Sequence, residues 1–291
     1  MNAILVPIDF SENSINALRY AVELARVNHA SITLFNSYHV AITASLTATP
    51  PSEYIDSLID DRAQSHEKRL RQIASQFETV QYEKTDEQLA FDFLTLQGVA
   101  SEQIEELTYS DKFSMVVMGT KGASGLAEVL WGSIAAYVVK NAQIPVLVVP
   151  EKAQNLSLKK IVYATNFDDN DIKAIDYVRN LTKAFDSEFT CLHISSSRND
   201  SDEIEKLEDL ESHYWFTPVS RMSFELLKDK KVEQALKSYF KENHVNLFVT
   251  LPQHKGFLER ILSGSLTQQF TLHSDLPILV FKLKEEKKQL Q

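Results

Sequence analysis

The sequence predicts an α/β protein of two tandem domains, each a five-stranded, mostly parallel sheet with helices on both faces. Three observations carry that prediction. Short β-rich apolar runs alternate with amphipathic segments along the chain, the pattern of a parallel sheet with crossover helices. The run Ile4-Leu-Val-Pro-Ile-Asp-Phe10 recurs as Ile161-Val-Tyr-Ala-Thr-Asn-Phe167, and Ile144-Pro-Val-Leu-Val-Val149 recurs as Leu276-Pro-Ile-Leu-Val-Phe281. The 291 residues also suit two domains of roughly 100–200 residues each.

The offset between the copies falls from 157 residues at Ile4 and Ile161 to 132 at Ile144 and Leu276, so the second copy is 25 residues shorter. Gly132-Ser133 and Gly264-Ser265 keep the offset of 132. The patternless polar stretch Glu151 to Ser157 reads as the linker, which gives domains of 1–152 and 153–291.

In the first copy, residues 3–8 form the opening strand. A helix follows over about 12–28, with Ile15, Leu18, Val22 and Ala25 on one face. Ser11 suits its N-cap, and Glu12 suits the positive end of its dipole. Residues 31–38 read as a strand, and Thr43 to Tyr54, with Pro50-Pro51, as an excursion loop. A charged amphipathic helix runs from Ile55 to Phe77. Strands at 90–96 and 113–118 flank a helix from Ser101 to Tyr109, and a helix over 133–141 leads into the closing strand, 145–149. The second copy predicts strands near 160–165, 188–194, 219–226, 246–251 and 277–282. Its helices fall near 169–185, 202–213, 230–243 and 265–273, with Tyr214 and Trp215 packing its helix layer.

Composition narrows the function. Apolar residues make up 44% and charged residues 24%, an ordinary globular balance. The net charge of −10 opposes binding to a nucleic-acid backbone. No apolar stretch approaches the roughly 18 residues of a membrane span, and the first nine residues lack the basic start of a signal peptide. The reading is cytoplasmic. A single cysteine, Cys191, excludes an intrachain disulfide and a thiolate zinc site, and reads as an inert buried thiol. His193 reads as a packed strand histidine.

Four of the seven glycines fall between Gly119 and Gly132. Glycine costs conformational entropy, so a cluster implies positive φ or a backbone approached closely by something else. The loop leaves the end of a buried strand, where parallel sheets bind ligands. Gly132-Ser133 opens a helix whose free amides make an anion site. The bland alternative is a flexible turn. Neither the Walker A pattern nor Gly-x-Gly-x-x-Gly is present.

The pattern that does match is Gly-x2-Gly-x9-Gly-Ser/Thr, in Gly119, Gly122, Gly132 and Ser133. With the opening Val6-Pro7-Ile8-Asp9-Phe10-Ser11 and the closing Pro-Val-Leu-Val-Val strand, the chain resembles the universal stress protein family in its tandem, UspA-like form. The resemblance implies Rossmann-like domains of the adenine nucleotide alpha hydrolase-like kind, and ATP as ligand, with Mg2+ as an optional companion. By that resemblance Pro7, Ile8 and Asp9 line the adenine and ribose side. Asn36 stands where the family has a small apolar adenine contact. Met118 and Gly119 hold the ribose side, while Gly122, Gly132, Ser133 and the Ile134 amide take phosphates. Lys121 and Ser124 lie in the loop and could touch phosphates, or be ordinary exposed residues.

The second copy departs from this pattern. Asn166 replaces Asp9, Ala164 replaces Pro7, and Leu251 and His254 stand where the first two glycines belong. That copy reads as a degenerate partner. The family pairs its closing strands between subunits, so the two copies are expected to pair within the chain as a pseudo-dimer, leaving a homodimer of whole chains open. No residue is a convincing general base. The leading function is therefore an ATP-binding stress-response module. The alternatives are a weak ATPase or phosphotransfer enzyme, or a second domain taking a different small ligand.

Overall fold

A computed structural model describes residues 2–39, 52–78, 89–120, 132–153, 158–197, 199–216, 221–251 and 276–282. The first half contains β1 (Ala3–Pro7), α1 (Glu12–Asn28), β2 (Ile32–Tyr38), α2 (Ser52–Glu78) and β3 (Phe91–Gln97). It continues with α3 (Ala100–Thr108), β4 (Phe113–Gly119), α4 (Ser133–Asn141) and β5 (Val146–Val149). The second half contains β6 (Lys160–Ala164), α5 (Asp171–Thr182), β7 (Glu188–Ser195), α6 (Ser201–Ser212) and β8 (Met222–Lys228). It ends with α7 (Val232–Glu242), β9 (Leu247–Thr250) and β10 (Ile278–Val280).

The strands form one sheet in the order β3-β2-β1-β4-β5-β10-β9-β6-β7-β8. Each half is parallel throughout, and the halves join antiparallel where Ile278, Leu279 and Val280 lie opposite Val148, Leu147 and Val146. From that junction outward, each half runs fifth, fourth, first, second, third strand, so the repeat in sequence is a repeat in topology. The protein is thus two tandem Rossmann-like units sharing a sheet.

Both sheet faces are covered, which explains the unbroken apolar strands. One face packs Ile4, Val6, Met115, Val117, Tyr163 and Val249 under α1, α2 and α5. The other packs Leu5, Val116, Met118, Val162 and Phe248 under α3, α4 and α7. Burial on α1 is wider than the one expected face: Ala17, Tyr20, Ala21 and Leu24 are buried too, while Ile15 is half-exposed. The helix lies along the strands of its own half and also reaches past β5 into the second half. Asn16 donates to Pro150 O at 3.1 Å and Ala153 O at 2.8 Å, and Asn28 donates to Leu181 O at 3.1 Å. The N-cap is as expected, with the Ser14 amide donating to Ser11 Oγ at 3.2 Å.

Several expectations need correction. The helix α2 begins at Ser52, immediately after Pro50-Pro51, so residues 52–54 are not loop. The third strand of the second half is shifted to Met222–Lys228, because its register follows β7 from Phe189 to Ser195. The expected helix over 169–185 ends at Thr182, and a 3-10 turn fills Lys183–Phe185. Tyr214 is buried, stacked on Phe224, but Trp215 is 69% exposed and does not pack the helix layer. The helix expected over 265–273, with Gly264 and Ser265, lies outside the described residues.

Candidate functional site

Strand order reverses at β1, which has β2 on one side and β4 on the other. In such sheets the crevice beyond the carboxyl ends of these strands is the usual ligand site. Pro7, Ile8 and Asp9 end or follow β1, Asn36 lies near the end of β2, and Met118 and Gly119 end β4. The topology carries all of them to one sheet edge.

Asp9 turns the chain into α1. Its Oδ1 accepts the Ser11 amide at 3.0 Å and the Ser11 hydroxyl at 2.6 Å. Between them Phe10 takes the left-handed conformation, with φ 67°. A bulky residue there is uncommon and strained, and the Asp9–Ser11 bonds help hold it. Phe167, its counterpart in the second half, repeats the conformation with φ 62°.

Asn36 is buried, and both ends of its amide are engaged. Its nitrogen donates to Ile8 O at 2.7 Å, and its oxygen lies 2.5 Å from His66 Nδ1. Since the nitrogen end is the donor, the Asn36 oxygen must accept, which places the His66 proton on Nδ1. Burial, then the Arg62 and Arg69 charges, lowers the His66 pKa below its ordinary value, which favours the neutral ring. His66 also meets the Phe10 and Tyr38 rings, each at 5.6 Å, and the Arg69 guanidinium lies over Phe10 at 3.7 Å. Sequence reasoning missed His66. The available signal was its spacing four and eight residues before Leu70 and Ala74, both fully buried on the sheet side of α2.

At the end of β4 the lack of a side chain on Gly119 matters. A Cβ there would stand 2.8 Å from Cγ and Nδ2 of Asn13, a buried residue in the first turn of α1. The expected cost of Gly119→Ala is about 1–3 kcal/mol, from overpacking against a side chain with little room to move. A chemical denaturation midpoint checks this. Asn13→Gly in the same chain should recover part of the loss, and additive losses would show that the two residues do not meet.

The glycine loop starts and finishes at one place. The Thr120 amide donates to Val149 O at 3.1 Å, and the Gly132 amide donates back to Thr120 O at 2.6 Å. Residues 121–131, including Lys121, Gly122 and Ser124, lie outside the described residues. Gly132 is the N-cap of α4 and supplies no side-chain cap, while Ser133 and Ile134 are exposed. The first-turn amides of α4 have no intrahelical partner, so they and the helix dipole suit an anion.

In the second half, the place of Asn36 is taken by His193, whose Nδ1 lies 2.9 Å from Thr165 O, the counterpart of Ile8 O. His193 is buried within β7, and its ring meets that of Phe167 at a tilt, with centroids 4.4 Å apart. Leu251 is buried in the apolar layer beneath α5. Cys191 is fully buried, and burial pushes its thiol pKa well up. His254 lies outside the described residues. No helix among the described residues is long and apolar enough to cross a membrane.

The sequence model of the universal stress protein family matches residues 1–150. A universal stress protein of Methanocaldococcus jannaschii is 30% identical over 146 residues, which is 50% of this chain and 80% of that protein. A Bacillus subtilis universal stress protein is 28% identical over 152 residues, 51% of this chain and 98% of the relative. The solved structure of a universal stress protein from Archaeoglobus fulgidus superposes with a TM-score of 0.64 at 17% identity, covering 98% of this chain and 97% of that one. A Pseudomonas aeruginosa structure superposes at 0.57, with 15% identity and 97% and 93% coverage. These two likenesses concern the fold, and they run through both halves. The family match across the first half, joined to this architecture, establishes that the chain belongs to the universal stress protein family.

Proposed function

We propose that the first half, residues 1–152, binds ATP, and that the protein works as a cytoplasmic nucleotide-binding regulatory module. The observation that carries the reading is the uncapped start of α4. Its free amides open beside the glycine-lined end of β4, at the point where strand order reverses. In this reading Gly122, Gly132, Ser133 and the Ile134 amide take the phosphates, with Mg2+ entering on them. Pro7, Ile8, Asp9, Met118 and Gly119 take the ribose and base side. Asn36 contributes by position, because its amide already serves Ile8 O and His66. Residues 153–291 act as a degenerate partner, and the pairing of β5 with β10 serves as the intrachain form of a family dimer.

Calorimetric titration of the full chain with ATP tests the reading. One site per chain is expected, and two equivalent sites would overturn the assignment of the second half. At a hundredfold excess over Kd, ATP should stabilise the fold by roughly 2.7 kcal/mol. Gly132 has φ −58° and ψ 150°, a conformation open to any residue, so Gly132→Val should fold. Its side chain would crowd the first-turn amides, and the stabilisation by ATP should vanish. A folded Gly132→Val variant that binds ATP normally removes the helix-start argument.

A further inference from the structure

The two halves differ at one pair of positions in a way that the nucleotide reading does not use. Their ladders can be overlaid: Ile4 pairs with Ile32 and Ile32 with Phe91, as Ile161 pairs with Phe189 and Phe189 with Met222. Three residues further along the third strand, Leu94 of the first half corresponds to Glu225 of the second. The helices overlay on their buried anchors, Ile104 of α3 and Leu236 of α7, so Leu107 corresponds to Tyr239. Leu94 and Leu107 both pack against the apolar core. In the second half this apolar pair has become an acid and a phenol, with Tyr239 OH donating to Glu225 Oε2 at 2.8 Å.

A cavity of about 380 Å³ opens at that pair, between α7 and the amino-terminal ends of β6, β7 and β8. Because the halves join antiparallel, these amino-terminal ends lie on the same sheet edge as the carboxyl ends of β1 and β4, with β5, β10 and β9 between the two places. We propose that the cavity is a second ligand site, for a small organic cation: a primary amine carried on a short aliphatic chain.

Charge and hydrogen-bond accounting lead to that class. The lining contains two carboxylates, Glu188 and Glu225. Glu188 is paired with Lys160 at 3.7 Å, and the rim cation Arg221 is paired with Asp186 at 3.3 Å. Among the described residues Glu225 has no cationic partner. Its neighbours are neutral hydroxyls: Ser223 reaches Glu225 Oε1 at a long 3.4 Å, and Thr190 bonds Ser223 at 3.0 Å. Burial and the Glu225 charge push the Tyr239 pKa up to about 12, so the phenol stays a donor and supplies no charge. A carboxylate offers about four acceptor positions, and these contacts use two. Asn243 commits its amide nitrogen to Tyr239 O at 3.0 Å, which leaves its side-chain oxygen as a further acceptor. A half-buried carboxylate amid spare acceptors calls for a donor-rich cation. The volume is far larger than a bare ion needs, and lies in the range of small-molecule pockets. Val162, Met222 and Val245 supply apolar wall for a methylene chain.

Calorimetric titration of the full chain with 1,4-diaminobutane at 0.15 M salt tests the proposal, with 1,4-butanediol as the neutral control. Saturable one-to-one binding of the diamine, and none of the diol, is expected. The double variant Glu225→Leu/Tyr239→Leu copies the pair that packs in the first half, and should lose binding by about tenfold or more. Glu225→Gln keeps the shape and an acceptor for Tyr239, and should lose binding similarly. No saturable binding by the natural chain would overturn the proposal. So would undiminished binding by Glu225→Gln, which would mean diffuse attraction to an acidic protein. ATP titration of the same variants should be unchanged, so this site and the nucleotide site stand or fall separately.

Discussion

Replacing Leu147 with proline should destabilise the protein by about 3 kcal/mol or more and loosen the contact between its halves. Leu147 lies at the centre of the ten-stranded sheet, opposite Leu279 of β10 on one side and Val117 of β4 on the other. Its amide therefore faces a paired strand whichever way it points, and proline removes that donor. The side chain is 3% exposed, so the ring would also have to fit a packed layer. Other contacts between the halves would remain, including the half-buried Tyr177, whose hydroxyl donates to Ser114 O at 3.3 Å, and Asn28 on Leu181 O. A chemical denaturation curve should shift to a lower midpoint and broaden or split as the halves lose cooperativity. An unshifted single transition would show that the β5–β10 ladder contributes little to joining the halves.

The second large effect is expected at Asp171, the first residue of α5 and 1% exposed. Its carboxylate accepts the hydroxyls of Tyr163 and Thr165, and the Asp168 amide at 3.2 Å. Tyr163 is fully buried, and burial followed by the Asp171 charge pushes its pKa far above the usual phenol value. The phenol therefore stays protonated and donates. Asp171→Ala would strand two hydroxyls and an amide, at a cost of about 3–5 kcal/mol. Changing the partners as well, with Tyr163→Phe and Thr165→Val, should recover part of that loss, since the two hydroxyls are then gone and only the Asp168 amide and the Phe167 amide, which donates to Thr165 Oγ1 at 2.9 Å, lose their acceptors. Urea denaturation of the single and triple variants measures both. A loss under about 1 kcal/mol for Asp171→Ala would mean that water replaces the carboxylate.

How far the sequence could be read follows from the range of each interaction. Strand alternation and the 3.6-residue period are local, so most elements were legible within a residue or two. The α4 helix matches its expected span, Ser133–Asn141, residue for residue. The N-cap Ser11 was legible because its partner Ser14 is three residues away. Boundaries failed where a neighbour decides: β8 takes its register from β7, and no pattern inside 219–228 encodes that pairing.

The sequence by itself determined the α/β class, the tandem repeat and the family, because apolar periodicity, glycine spacing and a duplicated opening strand are properties of order along the chain. Only the tertiary structure decided which side chains meet. His66 joins Asn36 across 30 residues, and Tyr239 joins Glu225 across two different elements. Trp215 and Tyr214 are adjacent in sequence, yet one is exposed and the other buried. Such contacts depend on how helices settle on the sheet, and polar groups brought together there must satisfy one another because water is displaced. The proposed cation site belongs to this second kind. It arises where a Leu pair in one copy became an acid and a phenol in the other, a difference that is visible only once the two halves are overlaid in space.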